Sequence, residues 1–271
     1  MMSKTKIHVL HTGSVNVDRA LPFKEKTLHP LPFTGWLRPN RWRMWVPVSA
    51  YLIEHPRGLI LVDAGWHEDM RLNVRKHLGF LASTMITGIL PPGQSVREQL
   101  MRLGYRDRDL DFVVMTHLHS DHVSGLKHVA GAKRIIVSEL EWKAANNDAN
   151  YIPSMWEGIN VETFQMKSIP HGPYKSGLDL FGDASVYLVF TPGHSKGMVS
   201  LLVKTDEGWV LLGSDVGYAR KSWEEHILPG VTTSVDQADK SLRWLSDFSG
   251  RDDCRMVIVN HDIEIAPQVI I

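Results

Sequence analysis

Three histidines and one aspartate fall within the six residues HLHSDH, 117–122. His117 and His119 are two positions apart, so in extended backbone their side chains point to the same side and can share one metal ion. Asp121 and His122 follow where the chain turns, and they can face a second ion a few ångströms away. Burying an ionised aspartate here without a cation would be costly, and this favours metal binding.

Three later segments contribute one metal-binding type of residue each. They supply His194 in TPGH, Asp215 in GSD and His261 in NH. Together with HLHSDH they give seven potential ligands, which suffice for two ions if Asp215 bridges them. Imidazoles combined with carboxylates suit Zn²⁺ best, with iron or manganese as alternatives. The chain has 14 histidines, and we expect those outside these segments to be ordinary surface or core residues.

The seven residues follow apolar, strand-like runs. These runs are residues 112–115, 186–190, 209–212 and 256–259, and each leads to a His or Asp within four positions. Sites in layered α/β proteins are usually built at strand ends, because the sheet is rigid and the loops beyond it converge. We therefore expect the loops after these four runs to meet at one site.

Further strands are predicted at residues 7–10, 48–53, 59–62 and 135–137. The stretch SAYLIEHPRGLILVD predicts a hairpin with Pro56 and Gly58 in its turn. Capping-box patterns at 95–98, 138–141 and 234–237 mark three helix starts. The third is followed by a stripe at helical spacing, formed by Val235, Ala238, Leu242 and Leu245. This mixture predicts an α/β or α+β protein whose sheets are covered by helices.

Length and composition are those of an ordinary globular protein. The chain has 271 residues, of which 43% are hydrophobic and 22% charged, and we expect a single domain spanning 1–271. Basic and acidic residues balance at 30 each, which argues against a nucleic-acid partner because phosphate binding usually needs a basic surplus. The one cysteine, Cys254, excludes an intramolecular disulfide and a cysteine-rich zinc site.

The N-terminal stretch MMSKTKIHVLHTG has too short an apolar run for a signal peptide. No apolar run reaches the roughly 18 residues that a membrane-spanning helix needs. We therefore expect a cytoplasmic protein without a membrane partner.

HLHSDH matches the H-x-H-x-D-H signature of the metallo-β-lactamase superfamily. The TPGHS, GSD and NHD segments follow in the order that this superfamily shows, and VDAG at 62–65 resembles its early aspartate-containing turn. The resemblance covers residues 7–264. It implies an α+β fold, the αβ/βα four-layer sandwich, in which two mixed sheets lie face to face, helices lie outside and the metals lie along one edge.

The resemblance also implies how the ligands are shared between two Zn²⁺ ions, with iron or manganese possible. One ion would be held by His117, His119 and His194, and the other by Asp121, His122 and His261, with Asp215 as the bridge. Asp63 of the VDAG turn would orient a ligand histidine through a hydrogen bond.

Within the superfamily the chain resembles N-acyl-homoserine lactonases, the enzymes of quorum quenching. The segment DVGY, 215–218, is similar to their Asp-x-x-Tyr, and HDIE, 261–264, is similar to the segment around their last histidine. The resemblance implies a dinuclear zinc hydrolase that opens a lactone by attack of a hydroxide held between the metals. Tyr218 would donate to the oxyanion, Asp215 would shuttle the proton, and Asp121 completes the expected catalytic set.

Two departures leave the substrate open. Ser120 stands where bulkier residues are common in those lactonases, and VSG follows His122 instead of a glycine pair. The apolar segment 78–90 fits either an acyl-chain groove or a buried or dimer-contact helix. The loop with Trp36, Trp42 and Trp45 fits either an aromatic rim of the pocket or a solvated loop with packed tryptophans.

Other functions remain open beside the lactonase. A thioesterase of the glyoxalase II kind would need basic residues for the glutathione carboxylates, and the ten residues after His261 carry no Lys or Arg. A lactonase for another ring, such as a pyridoxine-derived lactone, would use the same metal pair. A metal-binding sensor without hydrolysis is a third alternative. The expected partner is a small-molecule lactone, and the chain is expected to be a monomer or a homodimer.

Overall fold

Two β-sheets and the helices outside them make up the computed structural model, which describes residues 4–271. The first three residues of the N-terminal stretch considered for a signal peptide lie outside the described residues. The strands are β1 (Lys6–Asp18), β2 (Arg43–His55), β3 (Gly58–Val62), β4 (Thr87–Ile89), β5 (Phe112–Val114), β6 (Ile135–Ser138), β7 (Glu162–Phe164), β8 (Lys167–Ser168), β9 (Ser176–Asp179), β10 (Val186–Phe190), β11 (Val199–Thr205), β12 (Gly208–Leu212), β13 (Cys254–Ile258) and β14 (Val269–Ile270). The helices are α1 (Val74–Leu78), α2 (Phe80–Met85), α3 (Val96–Arg102), α4 (Ser120–Val123), α5 (Glu139–Ala145), α6 (Arg220–Glu224) and α7 (Val235–Ser249).

Both sheets are mixed. The first has the order β14-β1-β2-β3-β5-β6-β7, with β4 paired to β1, and the second has the order β13-β12-β11-β10-β9-β8. In the first sheet β1, β2 and β3 are antiparallel, and β3, β5, β6 and β7 are parallel. In the second sheet only the pairing of β12 with β13 is parallel among the described strands. The predicted α+β fold with two mixed sheets is confirmed.

Three apolar layers hold the sheets and helices together. The middle layer joins the inner faces of the two sheets through residues such as Ile53 and Leu201. A second layer packs the outer face of the first sheet against helices, with Leu52 and Leu100 among its members. The third layer packs α7 on the outer face of the second sheet. Successive residues of β2 face different layers, so its buried run at residues 50–53 is continuously apolar rather than alternating.

The predicted hairpin is confirmed as the antiparallel pair β2–β3, in which His55 lies opposite Gly58. The three predicted helix starts are confirmed as well, each with a serine whose hydroxyl accepts an N–H of the first turn. The reciprocal bond of a capping box forms at Ser95, where the Glu98 carboxylate accepts the Ser95 N–H. At Ser138 it does not form, because the Glu141 carboxylate turns away to other partners.

Two details of the predicted helices are wrong. In α7 the side chains of Ala238, Leu242 and Leu245 are buried, but Val235 is 46% exposed because the first turn extends beyond the apolar layer. Of the alternatives for residues 78–90, one buried helix is wrong, because the segment contains the end of α1, the short α2 and the strand β4, and Phe80 in α2 is 66% exposed. Among the helices that residues 4–271 form, none is long and apolar enough to cross a membrane.

The three tryptophans of the 36–45 region do not share one environment. Trp42 packs against arginines, with the Arg38 guanidinium 4.2 Å from its ring centroid. Trp36 is 41% exposed and donates its indole N–H to Thr84 Oγ1. Trp45 lies in β2 instead of a loop. The packed alternative therefore holds for Trp42.

Candidate metal centre

All seven predicted ligands lie together where β5, β10, β12 and β13 end. The segment after β5 carries His117 and His119, and α4 then begins at Ser120, so that its first turn carries Asp121 and His122. The parallel strands β12 and β13 end at the same edge and are followed by Asp215 and His261. The loop after β10 carries His194. Five of the seven side chains are almost completely buried: His117, His122, His194, Asp215 and His261.

One half of the site consists of His117, His119 and His194, whose potential ligand atoms lie within 4.8 Å of one another. Nδ1 of His119 and Nε2 of His194 are 2.8 Å apart and face the same space. Three imidazole nitrogens converging in this way form a suitable half-site for zinc.

Asp121, His122 and His261 form the second half, again with ligand atoms within 4.8 Å of one another. Asp215 lies between the halves. Its Oδ1 is 3.3 Å from Nε2 of His122, and its Oδ2 is 3.5 Å from Nε2 of His194 and 3.4 Å from Nε2 of His261. A carboxylate in contact with histidines of both halves is placed as a bridging ligand would be.

The donor atoms themselves test whether a metal pair fits. Nε2 of His117, His122 and His261 and Oδ1 of Asp215 are buried without a hydrogen-bond partner among residues 4–271. Buried polar atoms are normally paired, and a cation would satisfy these. The opposite ring nitrogens are paired, since Nδ1 of His122 lies 2.7 Å from Asp63 Oδ2 and Nδ1 of His261 lies 2.7 Å from Pro47 O. This is the arrangement that metal-ligating histidines show, so the residues fit two metal ions.

Burial sets the charge of the three-histidine half. Desolvation and the neighbouring histidines lower the pKa of His117 and His119 well below the ordinary value. Desolvation also lowers the pKa of His194. These imidazoles are therefore neutral at neutral pH, which is the form that binds metal.

The second half has the opposite electrostatics. Burial opposes charge on His122 and His261, but the Asp215 carboxylate outweighs it and raises both pKa values, with help from Asp63 at His122. Burial would likewise raise the pKa of Asp215, but His261 and His122 hold it well below the ordinary value. Metal ions that bind here would compete with protons for these two imidazoles.

Tyr218 lies over this half of the site. Its hydroxyl donates to Asp215 Oδ2 at 2.8 Å, and its ring stacks on His261 with centroids 5.0 Å apart. The backbone of Tyr218 is also held in place, because its N–H donates to Ser222 Oγ in α6. Burial and the Asp215 carboxylate raise the Tyr218 pKa well above its ordinary value, so the phenol keeps its proton.

Asp63 has the contact that the sequence predicted for it. Its Oδ2 accepts from His122 Nδ1 at 2.7 Å and from the Thr116 hydroxyl at 2.8 Å, and its Oδ1 accepts the Thr116 N–H at 2.8 Å. Asp63 has a φ of 58°, a backbone angle that is uncommon for residues other than glycine. The turn thus accepts some strain to aim this carboxylate at His122.

Sequence reasoning misses two residues at the centre. Asn260 precedes His261 without a ligand role of its own, but its Nδ2 lies 3.1 Å from His122 Nδ1 and donates to Ser49 O. Glu141 fits a helix cap by its sequence pattern, but its side chain reaches the loops that carry the ligands. Burial is the signal that could find Glu141, because the residue lies on the α5 face next to the apolar Ala144 and Ala145.

A separate cluster of histidines, all predicted to be ordinary residues, lies beside α4. The His67 ring stacks on His128 at 4.0 Å, and His77 Nε2 lies 2.6 Å from Ser124 Oγ. Together with Asp69, the imidazoles of His67 and His77 form a further group of potential ligands beside a cavity of about 540 Å³. Lys76 and Lys127 line the same cavity, which disfavours a cation there.

Known proteins with similar sequences include lactonases. The family model described as metallo-beta-lactamase superfamily matches residues 43–247. An N-acyl homoserine lactonase of Bacillus thuringiensis is 31% identical over 228 residues, covering 81% of this chain and 82% of the relative. The N-acyl homoserine lactonase AttM of Rhizobium radiobacter is 29% identical over 229 residues, covering 80% of this chain and 82% of the relative.

Solved structures agree with the sequence comparison. An N-acyl homoserine lactone hydrolase with N-hexanoyl-L-homoserine, its product, bound at the catalytic metal centre superposes with a TM-score of 0.79 at 25% identity, covering 97% of this chain and 95% of that chain. A mutant of B. thuringiensis AiiA, with N-decanoyl-L-homoserine bound at its active site, gives a TM-score of 0.78 at 25% identity and the same coverage.

Proposed function

This chain belongs to the metallo-β-lactamase superfamily, and from that premise we propose that it is a hydrolase that opens the ring of N-acyl-homoserine lactones. The observation that supports this proposal most directly is the convergence of seven potential metal ligands in two groups that share Asp215, with the Tyr218 hydroxyl beside them. The relatives that are lactonases match across four fifths of the chain. Two solved structures with N-acyl-L-homoserines bound, one of them described as the product, match it over nearly its full length.

Two Zn²⁺ ions are the proposed cofactors. His117, His119 and His194 would hold one ion, and Asp121, His122 and His261 the other, with Asp215 between them. Bound divalent ions lower the pKa of water to about 7 and polarise a carbonyl oxygen, which supplies a nucleophile and an electrophile at neutral pH.

The protein side chains position the lactone and handle its charge and protons. Tyr218 donates its hydroxyl hydrogen to the carbonyl oxygen as negative charge develops there. The hydrogen bond from the Tyr218 hydroxyl to Asp215 Oδ2 at 2.8 Å supports this role, because the hydroxyl points towards the candidate ligands. The attacking hydroxide carries one proton, which Asp215 can accept and pass to the ring oxygen as the C–O bond of the ring breaks, while the proton lost when water ionised to hydroxide goes to solvent. The product is a carboxylate and an alcohol on one opened chain.

The stacking of Tyr218 on His261 fixes the phenol before substrate arrives. A donor held in place in this way loses little conformational entropy during the reaction, and this raises its contribution to catalysis. Asp63 and Pro47 O, which hold His122 and His261 from behind, keep the metal-binding nitrogens aimed at the same space.

A panel of substrates tests this function directly. Zinc-loaded protein is assayed by pH-stat with N-acyl-homoserine lactones of increasing chain length, a pyridoxine-derived lactone and a glutathione thioester. We expect the acyl-homoserine lactones to give the highest kcat/KM. Highest turnover of the thioester would identify a thioesterase, and two bound metals without turnover of any substrate would identify a metal-binding sensor.

A further inference from the structure

Glu141 is fully buried in the first turn of α5, and the reaction described above gives it no role. Its carboxylate accepts four hydrogen bonds. Oε1 accepts the Leu118 N–H at 3.1 Å and the Tyr151 hydroxyl at 3.0 Å. Oε2 accepts the Ser195 hydroxyl at 2.8 Å and the Gly197 N–H at 2.9 Å. All four groups donate, so the pocket is built for a carboxylate acceptor.

Three of the four donors belong to the two loops that carry the three-histidine half of the site. Leu118 lies between His117 and His119, and Ser195 directly follows His194. One side chain thus joins two loops that are more than 70 residues apart in sequence, since Leu118 and Ser195 are 77 positions apart. Tyr151 adds a contact of its own, because its ring lies 5.1 Å from the His119 ring.

We propose that Glu141 is a positioning residue that holds His117, His119 and His194 in register to bind one metal ion. The inference rests on the metal-binding role proposed above and on no particular substrate. The histidines of the other half, His122 and His261, are held by different groups, Asp63 and Pro47 O. Glu141 therefore acts on one half of the metal pair.

The loop after His194 packs closely against the start of α5. A Cβ on Gly197 would lie 2.0 Å from Glu141 N and 2.6 Å from Ser138 Oγ, so only glycine lets the loop approach this closely. Ser138 Oγ also donates to Gly197 O at 2.7 Å. The loop after His194 is thereby seated on the start of α5, where the Glu141 carboxylate reaches it.

Glu141→Gln is the sharpest test because it preserves shape and removes one acceptor. The two backbone N–H groups, of Leu118 and Gly197, face different oxygens of the carboxylate. Whichever way the new amide is turned, its NH₂ faces one of them, and two donors cannot bond to each other. One of the two loops must therefore lose the hydrogen bond from its backbone N–H to residue 141.

Glu98→Gln provides the matched control. Glu98 occupies the same position of the same Ser-x-x-Glu pattern, but its carboxylate accepts from Ser95 N and Arg71 and contacts none of the predicted ligands. The two variants carry the same chemical change at the start of comparable helices. Any effect of Glu98→Gln measures the loss of a helix-associated carboxylate alone.

Zinc binding and content are measured by competition with a chromophoric chelator and by elemental analysis after dialysis. We expect the parent and Glu98→Gln to retain two equivalents and Glu141→Gln to retain one, with affinity for the lost ion lowered at least about tenfold. In a His261→Ala background, which leaves the three-histidine half, adding Glu141→Gln should remove the remaining ion. Parent affinity for both ions in Glu141→Gln, or equal weakening of both, would overturn the proposal.

Milder variants keep the test decisive if Glu141→Gln does not fold. Ser195→Ala and Tyr151→Phe each remove one donor and leave the carboxylate in place. We expect the double variant to bind one of its two zinc ions several-fold more weakly, and unchanged affinity for both would overturn the proposal. Zinc binding by the parent without lactone turnover would instead refute the proposed function and leave Glu141 as a metal-positioning residue.

Discussion

Asp63→Asn changes one atom of the carboxylate that holds His122 from behind. Asp63 Oδ2 accepts from His122 Nδ1 at 2.7 Å and from the Thr116 hydroxyl, and Oδ1 accepts the Thr116 N–H. If the asparagine NH₂ takes the Oδ2 position, it donates to His122 Nδ1 and moves the ring proton to Nε2. That nitrogen is the one that faces Asp215 at 3.3 Å, so its lone pair is no longer free for a metal ion.

The opposite amide orientation fails for a different reason. The NH₂ then faces the Thr116 N–H, and both groups are buried, so a donor is left unpaired at a cost of about 1–3 kcal/mol. Either orientation also removes the charge from the bond to His122. Loss of such a supporting partner lowers metal affinity by about 10- to 100-fold, which corresponds to about 1.4–2.8 kcal/mol.

We expect Asp63→Asn to bind one of its two zinc ions with affinity reduced by this factor in a chelator-competition titration at neutral pH. Asp111→Asn is the control, because Asp111 accepts Leu59 N at 2.7 Å beside the same sheet but contacts no predicted ligand. Parent affinity for both ions in Asp63→Asn would refute the reasoning. Equal losses in both variants would show that the effect is general to carboxylates beside this sheet.

Three further predictions concern catalysis, packing and pH. Tyr218→Phe should lower kcat for a lactone by about 10- to 1000-fold with zinc content unchanged, while Tyr187→Phe, in the outer layer of the second sheet, should match the parent. Leu242→Ala should lower the free energy of unfolding by about 2–5 kcal/mol in urea titrations, and the exposed Val235→Ala should cost about 0.5 kcal/mol or less. Burial, and to a smaller extent the neighbouring His67, lowers the pKa of His128 from 6.5 to about 4. As the pH falls, His128 is therefore protonated in the unfolded state before it is protonated in the folded state. The free energy of unfolding falls as the pH drops from 6.5 towards 4. His128→Gln should make the urea midpoint less dependent on pH in that range, and an unchanged slope would contradict this.

The convergence of the seven candidate ligands could be predicted from the sequence, because they follow apolar runs that are long enough to identify strands. His117 and Asp215 each come shortly after such a run, and the rigid ends of strands bring their loops together. The order of the strands could not be predicted in this way. β12 and β13 are adjacent and parallel although α7 lies between them in the chain, and this pairing depends on contacts between distant residues.

Glu141 shows why the supporting contacts were harder to predict. Its Ser-x-x-Glu pattern is the same as that of Glu98, and local sequence predicts a capping box for both. Only the tertiary structure distinguishes them, because the loops after His117 and His194 offer Glu141 donors that are remote in sequence. For the same reason Val235 fits the apolar stripe of α7 by spacing, yet is 46% exposed.

The most direct measurement of the proposed metal pair is anomalous scattering from crystals of zinc-loaded protein, with data collected on both sides of the zinc absorption edge. We expect two peaks on either side of the Asp215 carboxylate, one next to His117, His119 and His194 and the other next to Asp121, His122 and His261. A single peak, or zinc bound away from these side chains, would contradict the proposed dinuclear centre.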